Sequence, residues 1–167
     1  MKHAFYLAIL AAILITAGCG KEDTPCPNGF IGEDCDIPVA PTFITITRLT
    51  VSGWPMTRPN GSGWDANGTG PDIQLVILAE GTGQTLHTSG VADNVATNAP
   101  RTITGSWRLS PGQQNIAVFI YDDDELLGRE LITAAAYPAW SATTGRPATI
   151  SFTREGTLYV LDVLYEQ

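Results

Sequence analysis

Hydrophobic and polar positions divide the chain into three regimes. Residues 4–17, AFYLAILAAILITA, form one almost unbroken apolar run. Residues 20–41 are polar, glycine- and proline-punctuated and short of apolar periodicity. From about Thr42 onward, short apolar runs alternate with turn residues, and no run has the 3.6-residue period of a helix. Eight of these runs read as strands: 42–53, 73–79, 84–89, 101–109, 114–121, 126–133, 148–154 and 157–165. Glu80-Gly81-Thr82-Gly83, Ser110-Pro111-Gly112 and Glu155-Gly156 separate some of them as turns. Ile116, Val118 and Ile120 share one face of their strand, and Leu158, Val160 and Leu164 share one face of theirs, with Asp162 as the odd member. The apolar run 73–79 predicts a strand buried on both faces. Eight short strands, each with a face to bury, predict an all-β fold: an eight-stranded antiparallel β-sandwich.

The N-terminal run is too short to cross a bilayer, which takes about 20 apolar residues in a helix. It has the length of a signal-peptide core behind the short polar head Lys2-His3. It ends in Thr16-Ala17-Gly18-Cys19, small residues before a cysteine, which resembles the lipobox of bacterial lipoproteins, with Thr16 where that family usually has leucine. The resemblance implies that residues 1–18 are removed and that Cys19 carries diacylglycerol on its thiol and an acyl chain on its new amine. Several chains on one residue anchor stably, since each buried methylene contributes roughly 0.8 kcal/mol. The following Gly20-Lys21-Glu22-Asp23 resembles the lysine-plus-acidic export signal of some Gram-negative lipoproteins and implies display on the outer face of the outer membrane. Residues 19–25 are then the lipid-anchored tether, and 37–41 (IPVAP) a proline-spaced linker into a domain spanning 42–167.

Charge narrows the partners. The 167-residue chain carries a net charge of −8, and loss of Lys2 makes it more acidic still. Such a chain lacks the basic footprint of a nucleic-acid binder and is repelled by anionic lipid. Of the three cysteines, Cys19 is assigned to lipid, which leaves Cys26 and Cys35 as an even pair in an oxidising compartment, where a disulfide is expected. The segment between them, CPNGFIGEDC, resembles the last loop of an EGF-like module, with Gly29, Phe30 and Gly32 in the places of its two glycines and aromatic residue. Only that loop is present, so residues 26–36 read as a stapled mini-hairpin that stiffens the tether. Two cysteines do not make a structural zinc site, which needs four ligands.

Three stretches of the domain together resemble a C2 domain, the eight-stranded calcium- and lipid-binding sandwich. Residues 65–78, DANGTGPDIQLVIL, place Asp65 and Asp72 at the two acidic positions flanking that family's glycine-rich loop, although the proline precedes Asp72 and the family's tyrosine is missing. Residues 118–128, VFIYDDDELLG, match its strand ending in Tyr-Asp-x-Asp through Asp122 and Asp124, and Glu125 takes the place of the last acidic residue across a much shorter loop. Residues 156–165 are similar to its closing strand. The resemblance implies a calcium site built from Asp65, Asp72, Asp122, Asp124 and Glu125.

The acids carry an argument of their own. Calcium takes six to eight oxygen ligands, which one aspartate cannot supply and paired carboxylates from two loops can. Adjacent carboxylates repel one another unless a cation or solvent screens them. Alternation along a strand lets Asp122 and Asp124 converge while Asp123 points away. Beside Asp65, the loop Trp54–Trp64 offers Trp54, Met56 and Trp64 as a rim for lipid, glycan or protein. Trp107 and Trp140 read as core or edge residues. An enzyme is not expected: after the signal peptide only His87 remains among histidines, no free cysteine is left, and neither a Gly-x-Ser-x-Gly elbow nor a phosphate-cradling loop is present. Paired carboxylates could in principle hydrolyse glycosides, but the expected readings are a binding module, with calcium or without it, or a metal-free structural accessory of an outer-membrane assembly.

Overall fold

A computed structural model describes residues 25–167 apart from 28, 66–68, 96–98, 125–127 and 144. Two short strands, β1 (Phe30–Ile31) and β2 (Ile37–Pro38), precede eight longer ones. These are β3 (Phe43–Ser52), β4 (Ile73–Ala79), β5 (Gln84–Thr88), β6 (Arg101–Leu109), β7 (Asn115–Asp124), β8 (Gly128–Pro138), β9 (Thr149–Arg154) and β10 (Thr157–Glu166). They build two four-stranded sheets, ordered β6-β3-β10-β9 and β5-β4-β7-β8, in which every pairing is antiparallel. The eight-stranded sandwich expected from the alternation is the fold observed.

Inward-facing residues of both sheets form one core. Ile44, Ile46, Leu49 and Val51 of β3 meet Ile73, Leu75 and Ile77 of β4 and Ile116, Val118 and Ile120 of β7. On the other face of β4, expected to be buried as well, Val76 is buried but Gln74 and Leu78 are part-exposed, because no further layer of described residues covers that sheet. Trp107 and Trp140 are core residues, and half-buried His87 packs on Trp107 with ring centroids 4.8 Å apart. Tyr137, Phe152 and Tyr159 stack in series between β8, β9 and β10, at 4.4 and 5.0 Å.

Within the two main sheets, three further strands differ from the sequence expectation. Strand β10 buries the opposite face from its leucine stripe: Thr157, Tyr159, Leu161 and Val163 point inward, while Leu158 and Leu164 are exposed. On the outer face Asp162 meets Arg48 of β3 in an ion pair at 2.6 Å. Strand β8 continues to Pro138 because Ala134, Ala135 and Ala136, weak strand formers alone, pair with Phe119, Val118 and Ala117. Likewise β7 continues through Asp124, whose partner is Gly128.

The N-terminal hairpin is closed by the Cys26–Cys35 disulfide, with Cα atoms 5.2 Å apart. Ile37 and Pro38, read as linker, instead pair back on Ile31 and Phe30. The hairpin docks on the loop between β8 and β9. Arg146 Nη2 donates to the Val39 carbonyl at 3.1 Å. The Arg146 side chain lies across buried Gly29, where an added Cβ would come within 2.9 Å of its Cγ. Gly29 therefore does two things a larger residue could not: it lets Arg146 approach, and it adopts φ of +95°.

Candidate functional site

The core stripe of β7 ends on a charge. Ile116, Val118 and Ile120 face inward, and the next position in phase is Asp122, only 1% exposed. Two residues on, Asp124 projects from the same side of the strand. Asp65 arrives from the loop joining β3 to β4. One carboxylate oxygen from each of Asp65, Asp122 and Asp124 lies within 4.8 Å of the other two.

Backbone hydrogen bonds hold this end of the sandwich. Asp122 Oδ1 accepts the Asp72 N–H at 2.7 Å, and the Asp123 N–H donates to the Asp72 carbonyl at 2.8 Å. Asp65 Oδ2 accepts the Thr69 hydroxyl at 2.5 Å. Asp72, expected as a ligand, has its Oδ1 turned to the Asn94 N–H at 2.8 Å and lies outside the converging triad. It ties the start of β4 to β7 and to the loop after β5. Asp123 faces away, as the alternation requires, and pairs in register with Arg129. Glu125 and Cys19 lie outside the described residues.

Burial and like charge act together on Asp122 and Asp124. Burial pushes the Asp122 carboxyl above the usual carboxylate range; the Asp72 N–H offsets part of this, and the charges of Asp124, Asp65 and Asp72 add to it. Desolvation likewise raises Asp124, followed by Asp65 and Asp72, against the opposing pull of Arg58. Asp122 Oδ2 is buried with no hydrogen-bond partner among the described residues. A buried oxygen of this kind is costly unless something neutralises it. The donor set is entirely oxygen, is anionic, and comes from two separate segments, which suits a hard cation such as calcium and does not suit zinc or copper.

The loop beside the triad differs from expectation. Trp54 is 1% exposed and Trp64 is 4% exposed, and Met56 packs partly buried against the same core. Trp64 Nε1 donates to the Pro55 carbonyl at 2.9 Å. Trp54 and Met56 close the open end between the sheets, and Trp64 packs within its own loop beneath Arg58, so the exposed rim suggested by the loop's composition is not formed by them. Large apolar rings at a sandwich mouth gain more by closing the core than by facing water.

Arg58 is the residue whose role the sequence reading missed. Its guanidinium binds Glu130 Oε2 through Nε at 2.8 Å and Nη2 at 2.7 Å, lies 5.2 Å from the Trp64 ring centroid, and also donates through Nη1 to the Gly63 carbonyl. The loop carrying it is a tight hairpin: Arg58 N–H to Ser62 O at 2.8 Å, Gly61 N–H to Arg58 O at 2.9 Å, and Asn60 Oδ1 capping Ser62 N–H at 2.9 Å. The loop was conspicuous in sequence for its aromatics, and nothing there paired its arginine with Glu130 of β8.

No family model and no curated protein matches the chain. Solved structures do. A C2 domain superposes with a TM-score of 0.50 at 16% identity, over 75% of this chain and 98% of that one. A C2 domain of plant extended synaptotagmin 1 gives 0.50 at 15% identity, over 76% and 96%. Human GIVD cytosolic phospholipase A2, in complex with methyl gamma-linolenyl fluorophosphonate inhibitor and terbium chloride, gives 0.52 at 13% identity; it covers 75% of this chain, which spans only 17% of the length of that enzyme. At these identities the likeness is one of fold, and the chain is a C2-like β-sandwich with an acidic triad at one end.

Proposed function

We propose that this protein is a non-enzymatic, calcium-dependent binding module, held at a bacterial outer membrane by an acylated Cys19 and displayed on the cell surface. Asp65, Asp122 and Asp124 would hold the ion, with Glu125 in reach by sequence. The observation that carries the reading is the buried, unpartnered Asp122 Oδ2 among converging carboxylates. A bound calcium ion would offset two of the triad's three negative charges and leave coordination positions for further oxygen atoms of a ligand. The phospholipase with the same fold over part of its length was solved with terbium chloride, and terbium, a hard oxygen-seeking ion, serves as a second probe here.

The hairpin 26–36, a single EGF-like loop, is the stiff spacer between anchor and domain. An alternative, a metal-free accessory protein, draws support from Arg58, a fixed cation that already lowers the repulsion at Asp124. Titration calorimetry with calcium separates the two. The binding reading requires saturable heat that Asp122→Asn with Asp124→Asn abolishes; absence of heat from the unmutated protein favours the accessory reading. For the anchor, Cys19→Ala is expected to move the protein from the membrane pellet to the soluble fraction, and retention in the pellet would contradict it.

A further inference from the structure

The acidic triad and the tether occupy opposite ends of the sandwich, and the tether is too short to reverse them. Strand β7 runs from Asn115, paired with Pro138 at the hairpin end, to Asp124, paired with Gly128 at the triad end. Ten residues of strand separate the ends by about 30 Å. Beyond the triad end projects the loop 53–65. Beyond the other end lies the hairpin, seated on Arg146 in the loop after Pro138. The chain therefore enters the domain on the side away from the acids.

Between Cys19 and Cys26 there are seven residue steps. Fully extended, they reach about 25 Å. For the triad to face the bilayer that holds Cys19, the hairpin end would have to stand above that bilayer by the strand length plus the projecting loop. That height exceeds the reach of the tether; the disulfide closes residues 26–35, and the β1–β2 pairing and the Arg146–Val39 hydrogen bond hold residues 37–39 against the domain, so neither segment lengthens it. We infer that the acidic site addresses the medium and not its own membrane. Its ligand is presented from outside the anchoring bilayer, so end-on insertion of the triad-end loops into that bilayer, with the strands along the membrane normal, is excluded. This rests on the lipid anchor at Cys19 and is independent of whether calcium binds.

The test uses the full acylated protein reconstituted in vesicles, labelled with a donor dye at one of two exposed positions. Thr57→Cys marks the triad end, and Ser110→Cys, in the turn between β6 and β7, marks the hairpin end. Energy transfer to an acceptor dye on the lipid headgroups reports height above the bilayer. The expected result is lower transfer from Thr57→Cys than from Ser110→Cys, with calcium or with chelator. Equal transfer, or higher transfer from Thr57→Cys, overturns the orientation. Failure of the anchor is separately visible: the protein would then not float with the vesicles, and no transfer would be seen from either position.

Discussion

Asp122→Asn tests the electrostatics of the site without reference to any ligand. In the metal-free protein the Asp122 carboxylate is buried, accepts one backbone hydrogen bond and faces two further carboxylates within 4.8 Å. Asparagine keeps an oxygen for the Asp72 N–H and removes the charge. A pair of unit charges at that separation interacts by about 1 kcal/mol in water and about 4 kcal/mol near a protein surface. Asp65 and Asp124 are part-exposed, so the two repulsions lie towards the lower limit. After subtracting the weaker hydrogen bond of a neutral acceptor, the net gain is about 1–2 kcal/mol. In a domain of this size that is a rise in Tm of roughly 3–10 °C, measured by calorimetry in chelator at pH 7 and low salt. Asp122→Ala, which also orphans the Asp72 N–H, should fall below Asp122→Asn by about 1–3 kcal/mol. A fall in Tm for Asp122→Asn would refute the reasoning, because it would mean that the charge-assisted bond to Asp72 outweighs repulsion.

The pH dependence follows from the same groups. Asp122 and Asp124 titrate above their unfolded-state values, so the folded state binds protons more tightly. Stability in chelator should rise as pH falls from 7 through the raised carboxylate range towards about 4, the usual aspartate value. With calcium present the same acidification should release the ion and lower stability, so the two melting curves converge; parallel curves would contradict the site. Arg58→Gln should lower the metal-free Tm, because it removes a cation that offsets the repulsion at Asp124, and should tighten calcium binding by about three- to tenfold in titration calorimetry; weaker calcium binding in that variant would assign Arg58 a different role.

Much of this fold was legible because its strands alternate or run apolar without interruption. Ile116, Val118 and Ile120 read directly as one buried face, and 73–79 as a strand; its inner face is buried throughout, but of its outer face only Val76 is, with Gln74 and Leu78 part-exposed. The face of β10 was misread because composition points the wrong way: Leu158, Val160 and Leu164 are apolar but lie outward, and Thr157 and Tyr159 fill the core. Side-chain type alone does not tell an outward leucine from an inward threonine when partners on the facing sheet decide.

Asp65, Asp122 and Asp124 were legible as acids at strand and loop ends, and the i, i+2 spacing correctly separated Asp123. What was not legible is that Asp72 stands outside the converging triad and gives its Oδ1 to the Asn94 N–H, because that contact depends on a loop some twenty residues further along. Trp54 and Trp64 sit in a loop whose sequence suits a binding rim, yet only the assembled sandwich shows that Trp54 fills the mouth between the sheets and that Trp64 is buried under Arg58 of the same loop.

The central claim is that the acidic end binds calcium through Asp122 and Asp124, and thermal unfolding in calcium against chelator tests it most directly. A ligand that binds only the native state stabilises it by RT ln(1 + [L]/Kd), about 4 kcal/mol for millimolar calcium over a micromolar site. The account predicts a rise in Tm of at least several degrees that Asp122→Asn with Asp124→Asn eliminates while the double variant stays folded. An unchanged Tm in the unmutated protein, or an equal rise in the double variant, would contradict it.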